Sequence, residues 1–271
     1  MSKTPVTAEN YYDNDLNWEY LSVSLYKALL KNPMGKLAEM RDEWHPTKQD
    51  KTPLLVGNFL HSHFESPEAH QRFIDENPEI ISQRGATKGK LKADYVVAGA
   101  MIEAIENQPV LMALLNGTER EVIVTGEIGG ADWKGKIDAL NVEKGYFIDF
   151  KTNADIHKKH WDDNKNQWMD FVEAYGYVTQ MAVYAELLRQ TYGKTFQPII
   201  YAVTKRNPAD IEAVEIYQGE LQNELNTVIE NTPTVLGYLT GQVKPEFVDD
   251  GSEYSITHKV ITDVVHHTDL I

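Results

Sequence analysis

Lys136-Ile137-Asp138 and, eleven residues after that aspartate, Asp149-Phe150-Lys151-Thr152 flank the turn-rich run Leu140-Asn141-Val142-Glu143-Lys144-Gly145-Tyr146. That layout predicts two neighbouring strands of one hairpin. Alternate side chains of a strand share a face, so Asp149 and Lys151 point one way with Phe147, while Tyr146, Ile148 and Phe150 point the other. Three charged groups then converge near one end of a small sheet. Two carboxylates that close do not both stay ionised without a cation, and a hard divalent metal with oxygen ligands resolves the conflict. The lysine is left to act as electrophile or water-orienting group.

Three other stretches bear on this pair of strands. Upstream, Gly57-Asn58-Phe59-Leu60-His61, followed by Phe64, Glu65 and Pro67, predicts a helix with Gly57 and His61 one turn apart on the same face, the glycine clearing space beside the imidazole. His63 faces elsewhere and reads as a capped or solvated side chain. Downstream, Tyr177, Gln180 and Tyr184 recur at i, i+3 and i+7 beside an apolar stripe of Val178, Met181, Ala182, Ala185 and Leu188 that would pack on the sheet. Tyr177 reads as core; Gln180 does not, because a buried amide needs partners for its donors and its acceptor. Near the start, Ser22-Val23-Ser24-Leu25-Tyr26-Lys27 leads to Asn32-Pro33, a serine-capped helix that Asn-Pro stops.

Together these motifs resemble the PD-(D/E)xK nuclease superfamily and, within it, the RecB-like and RecE-like exonucleases of phage type, over about Tyr20 to Tyr217. The resemblance implies an α/β (mixed α+β) fold with a restriction-endonuclease-like core, a central mixed sheet whose antiparallel meander is flanked by helices. It implies a metal-dependent DNA exonuclease in which His61, Asp138, Asp149 and the backbone carbonyl of Phe150 hold Mg2+, with Mn2+ able to substitute. Lys151 would position the attacking water or offset charge at phosphorus, Gln180 and Tyr184 would orient the DNA backbone, and Lys136 and Thr152 would contact it. In some relatives a glutamate ahead of the first strand joins the metal. Glu103 and Glu106 stand in that region, and both read as solvated helix face. The implied substrate is linear double-stranded DNA, digested from 5' ends to leave 3' single strands for an annealing protein in recombination, by a ring-shaped homo-oligomer.

The composition narrows the class further. A length of 271 residues with 42% hydrophobic content suits one nuclease domain, with 1–53 a helical extension, 54–217 the core and 218–271 a helix and tail. The chain has no cysteine, which excludes disulfides and the iron-sulfur branch of the RecB-like group. No apolar run reaches membrane-spanning length, the start lacks the apolar core of a secretion signal, and no Gly-x-x-x-x-Gly-Lys-Ser/Thr loop for a nucleotide phosphate occurs. A cytoplasmic protein without nucleotide cofactor or membrane partner is the expectation. The net charge of -15 opposes DNA binding over the whole surface, but Arg84–Lys92, Lys158-Lys159, Lys165 and Lys205-Arg206 are locally basic, and bound cations would reverse the field at the site. A catalytically inactive nuclease-fold DNA-binding module, or an acidic protein-interaction factor, are the alternatives.

Along the rest of the chain, residues up to about Glu19 read as loosely ordered apart from what Tyr11, Tyr12 and Trp18 anchor, and those from Asn32-Pro33 to Pro53 as a polar stretch. Asp155 to Asn166 reads as a charged connection. His266-His267 with Asp269 is either a metal-binding cluster or a solvated terminus.

Overall fold

The computed structural model describes residues 3–47, 50–162 and 166–262. Helices α1 (Val23–Lys31), α2 (Pro33–Met40), α3 (Thr52–Glu65), α4 (Pro67–Glu76), α5 (Ala93–Glu106) and α6 (Pro109–Leu115) precede a meander of β1 (Glu119–Ile128), β2 (Ala131–Asn141) and β3 (Tyr146–Asn153). A small ribbon of β4 (His160–Asp162) and β5 (Gln167–Met169) follows, then helices α7 (Phe171–Ala174) and α8 (Tyr177–Tyr192). Strands β6 (Gln197–Thr204) and β7 (Ile211–Glu215) and helices α9 (Gln218–Thr240) and α10 (Glu253–His258) complete it. The main sheet has the order β1-β2-β3-β6-β7. Its only parallel pair is β3 with β6, joined through α8, because parallel neighbours need a crossover while the meander needs only turns. This is the mixed sheet expected above.

The alternation in β3 divides the core as its sequence requires. Phe147 joins the side packed by α1, α8 and α9, while Tyr146, Ile148 and Phe150 join the side packed by α3, α5 and α6. Trp133, fully buried in the first of these, satisfies its indole N–H on the carbonyl of Ile128 at 3.0 Å.

Three segments depart from the sequence reading. Asn32-Pro33 ends α1 but at once begins α2: the Asn32 carboxamide oxygen accepts from the Gly35 N–H at 2.9 Å, and Pro33 stands in the first turn, where its missing N–H costs nothing. The Asn32 amide nitrogen also reaches Asp250 and Ser252, each at 3.1 Å, so one side chain ties the chain's end to its beginning. Asn32→Ala should therefore lower stability by about 1–2 kcal/mol, read as a shifted urea midpoint at unchanged slope. Second, the segment before Glu19 is not loose: Tyr11, one of the expected anchors, and Leu16 are buried, Lys134, buried in β2, donates to the Tyr11 carbonyl at 2.8 Å, Asn14 donates to the Met40 carbonyl at 2.9 Å, and Lys3 pairs with Asp132. Its polar composition conceals these few buried side chains and side-chain bonds. Third, the charged connection contains β4, which pairs with β5 through the exposed cross-strand couple Trp161 and Trp168. Lys165, His266, His267 and Asp269 lie outside the described residues.

Candidate metal centre and active site

The β1–β2 register runs outward from the Gly129-Gly130 turn and sets Glu121 across from Asp138, between the pairs Arg120–Ala139 and Val122–Ile137. The β2–β3 ladder runs from Asn141–Tyr146 to Ala139–Ile148 and stops short of Asp138. There the Asp138 side chain replaces the ladder, accepting the Phe150 N–H at 2.8 Å. Glu121 has a φ of 53°, a left-handed backbone that costs a side-chain-bearing residue about 1–2 kcal/mol. Strain of this kind persists only where surrounding structure enforces it.

Helix α3 brings His61 onto this opening. Its Nδ1 lies 3.3 Å from Asp138 Oδ1 and its Nε2 3.0 Å from the carbonyl oxygen of Phe150. His61, Glu121 and Asp138 each offer a ligand atom within 4.8 Å of the others. One imidazole nitrogen, two carboxylates and a main-chain carbonyl form a donor set suited to a hard divalent cation such as Mg2+ or Mn2+, with room for water or substrate oxygens to complete the shell.

Asp149 is adjacent but differently engaged. Its Oδ1 accepts from Gln180 Nε2 at 2.8 Å, and its Oδ2 faces Lys151 Nζ at 2.5 Å. Burial pushes its carboxyl up to about 6, Asp138 adds to the rise, and the Lys151 ammonium offsets it only in part. Burial opposes the charge on Lys151, but Asp149 and Asp138 outweigh that and hold the amine above its usual range. The Lys151 ammonium lies 5.0 Å from the ring centre of Tyr177. A further cation comes from α1: Lys27 donates to the Tyr175 carbonyl at 2.5 Å, and burial, then the charge on Lys151, lowers its pKa.

Several sequence expectations change in the light of this geometry. Tyr184 is only 9% exposed and its ring covers Gly135, so it packs against the sheet and does not face the open site. Tyr177, which periodicity assigned to the core, is the half-buried ring beside Lys151. Tyr177 still packs on the edge of the core, while Gly135 leaves a hollow in the sheet that Tyr184 and Leu187 fill; a Cβ there would stand 3.0 Å from two of the Tyr184 ring carbons. Gly57 does not clear space beside the imidazole: a Cβ there would meet only the hydroxyl of Thr152, at an ordinary 3.9 Å. Lys136 pairs with Glu121 and sits near the rings of Tyr11 and Tyr12. Glu106 bonds His63 at 2.8 Å and Glu103 is exposed, so neither joins the centre. Glu121 is the glutamate that does, and its signal was the register implied by the glycine turn.

Protonation of the cluster gives a pH prediction. Asp149, raised from 3.8 to about 6, binds more protons folded than unfolded, so its contribution to stability falls as pH rises through that window. His61 is opposed by burial but held above 6.5 by Asp138; its contribution is full below that value and is lost as pH rises through the higher folded one. Asp138, which burial alone would raise, is held low mainly by His61; its stabilisation is present above 3.8 and is lost only in stronger acid. The metal-free cluster therefore weakens toward alkaline pH, where its ligands are deprotonated and ready for a cation. Millimolar Mn2+ should raise the melting temperature more near about pH 8 than near about pH 5.5, and an equal shift at both would contradict this assignment.

A mixed sheet whose meander gathers Asp138, Asp149 and Lys151 beside a helix-borne histidine defines a PD-(D/E)xK-like domain. The chain belongs to the family described as "PDDEXK-like domain of unknown function (DUF3799)", whose model matches residues 22–254. It is similar to the crystal structure of a "Putative exonuclease" from Eubacterium rectale, with 32% identity over 99% of this chain and 98% of that one and a TM-score of 0.87. A "phage related exonuclease" from Haemophilus somnus shows 13% identity over 85% of this chain and 99% of that one, with a TM-score of 0.36, too low to bear on the fold. No curated protein matches. Among the described residues no helix is long and apolar enough to cross a membrane.

Proposed function

We propose that the chain is a divalent-metal-dependent exonuclease that hydrolyses phosphodiester bonds at the ends of linear duplex DNA. The observation that carries this is the meeting of His61, Glu121 and Asp138 at one point beside the Asp149–Lys151 pair. His61, Glu121, Asp138 and the Phe150 carbonyl would hold Mg2+ or Mn2+, with Asp149 the bordering anionic donor. A cation bound there supplies Lewis-acid activation and neutralises phosphate charge.

The protein's own groups account for the rest. Lys151, fixed by Asp149 and Tyr177, presents an N–H donor to the attacking water or to a phosphate oxygen. Gln180 holds Asp149, and Tyr184, one turn further along α8, fixes the helix on β2 by packing over Gly135. Lys136 adds positive charge beside Glu121 and Lys27 adds it near Lys151, and Thr152 is half-buried on β3 against Gly57. Hydrolysis delivers hydroxyl to phosphorus and a proton to the departing deoxyribose oxygen, breaking one P–O bond. Digestion from the 5' end, release of 3' single strands to an annealing protein in recombination, and a ring-shaped homo-oligomer for processivity belong to the same reading.

End-labelled linear duplex and covalently closed circles, each incubated with Mg2+ or Mn2+, separate the possibilities. Loss of label from linear DNA with circles left intact is the expected result. Cut circles would indicate an endonuclease, retention of DNA without degradation an inactive binding module, and no retention an acidic interaction factor.

A further inference from the structure

We propose that Tyr12, on the segment preceding α1, is a stacking platform for an unpaired base of the nucleic acid whose phosphate is held at Lys136; this rests on the nuclease reading above. Tyr12 is 76% exposed, yet it is not adrift. Its neighbour Tyr11 is buried and meets it edge to face, the ring centres 5.0 Å apart at 80°. Tyr11 is fixed in turn by Lys134, which donates from its ammonium to the Tyr11 carbonyl at 2.8 Å. The loop closes on itself through Asn10, whose side chain accepts the Thr7 N–H at 2.7 Å and whose carbonyl accepts the Asp13 N–H at 2.9 Å. The fold thus presents one aromatic ring to solvent from a pinned base.

That ring stands beside the candidate centre. Lys136 Nζ is 5.0 Å from its centroid and pairs with Glu121, so two contacts lead from the exposed ring to a carboxylate of the candidate metal-binding group. Sites that accept single-stranded nucleic acid combine a cation that tracks the phosphates with an aromatic face on which a base stacks, whatever its identity. Lys136 and Tyr12 are such a pair. A duplex end offers its terminal base to such a ring only when that base is unpaired, so the arrangement favours frayed or single-stranded ends over blunt ones. The competing role, in which Tyr12 merely steadies Lys136 through its hydroxyl, makes a different prediction for removal of that hydroxyl alone.

The test uses the full chain with Ca2+ in place of Mg2+ and an oligonucleotide carrying 2-aminopurine at its end, whose fluorescence falls when it stacks. Wild type and Tyr12→Phe should quench it equally, while Tyr12→Ala should lose the quenching and bind about tenfold or more weakly, at an unchanged melting temperature. Quenching by Tyr12→Ala equal to that of wild type, or failure of Tyr12→Phe to quench, would overturn the proposal. Cleavage by wild type with Mg2+ is measured alongside. Cleavage with quenching that ignores Tyr12 removes this inference and spares the nuclease, whereas Tyr12-dependent quenching without cleavage spares the stacking site and removes the hydrolytic reading.

Discussion

Lys151→Ala is expected to lower metal-dependent DNA degradation by about 10²- to 10⁴-fold while DNA is still bound, the range typical of losing a positioned proton donor or charge stabiliser. The size follows from the geometry. Lys151 is held between Asp149 and the ring of Tyr177, so its ammonium is pre-aimed and loses little freedom when substrate arrives. The variant leaves Asp149 buried without its counter-charge, and that carboxyl will then hold its proton to higher pH. The melting temperature in the absence of metal is therefore the necessary control for folding. Degradation at the wild-type rate by a folded Lys151→Ala protein would remove the catalytic assignment.

Glu121→Gln is expected to weaken Mn2+ binding at least about tenfold, with activity falling in step when metal is limiting. Partners that only orient a metal ligand already cost 10- to 100-fold when removed, and a carboxylate that itself contacts the ion costs no less. The amide keeps the shape and the hydrogen-bonding capacity beside Lys136 but loses the charge. Titration calorimetry with Mn2+ measures this directly. Glu106→Gln is the matched control: it alters a glutamate of the region that the family resemblance pointed to, but one bonded to His63 and outside the ligand group. Equal affinity in the Glu121 variant and that control would remove Glu121 from the centre. The left-handed backbone at Glu121 fits a position retained for what its carboxylate does, since a glycine would stand there at less strain.

Much of this was legible in the chain. The period of two in Tyr146–Lys151 assigned Phe147 to one face and Ile148 and Phe150 to the other, and the two core clusters divide in that way. Gln180 was recognisable because an amide on an otherwise apolar helix needs partners, and Asp149 is the partner. What was hidden depends on register and depth. Glu121 is seven residues before Ile128 and Asp138 seven after Ala131, so counting outward from the glycine turn aligns them, but only once the turn is known to close a two-residue hairpin. Tyr177 and Tyr184 share a helix face, and the hollow at Gly135 that separates their roles has no local signature. The N-terminal segment is polar by composition and held by two buried side chains and by side-chain bonds to main-chain carbonyls, which no hydropathy pattern reveals. Asn32-Pro33 shows the same ambiguity in miniature, since a residue that stops one helix is equally fit to cap the next.

The central claim is that His61, Glu121 and Asp138, with the Phe150 carbonyl, share one cation. Crystals grown with Mn2+ and measured at an energy where manganese scatters anomalously test it most directly. The account predicts an anomalous peak within bonding distance, about 2.0–2.4 Å, of the His61 nitrogen and the Glu121 and Asp138 oxygens. A fully occupied peak elsewhere, or none at saturating Mn2+, would contradict it.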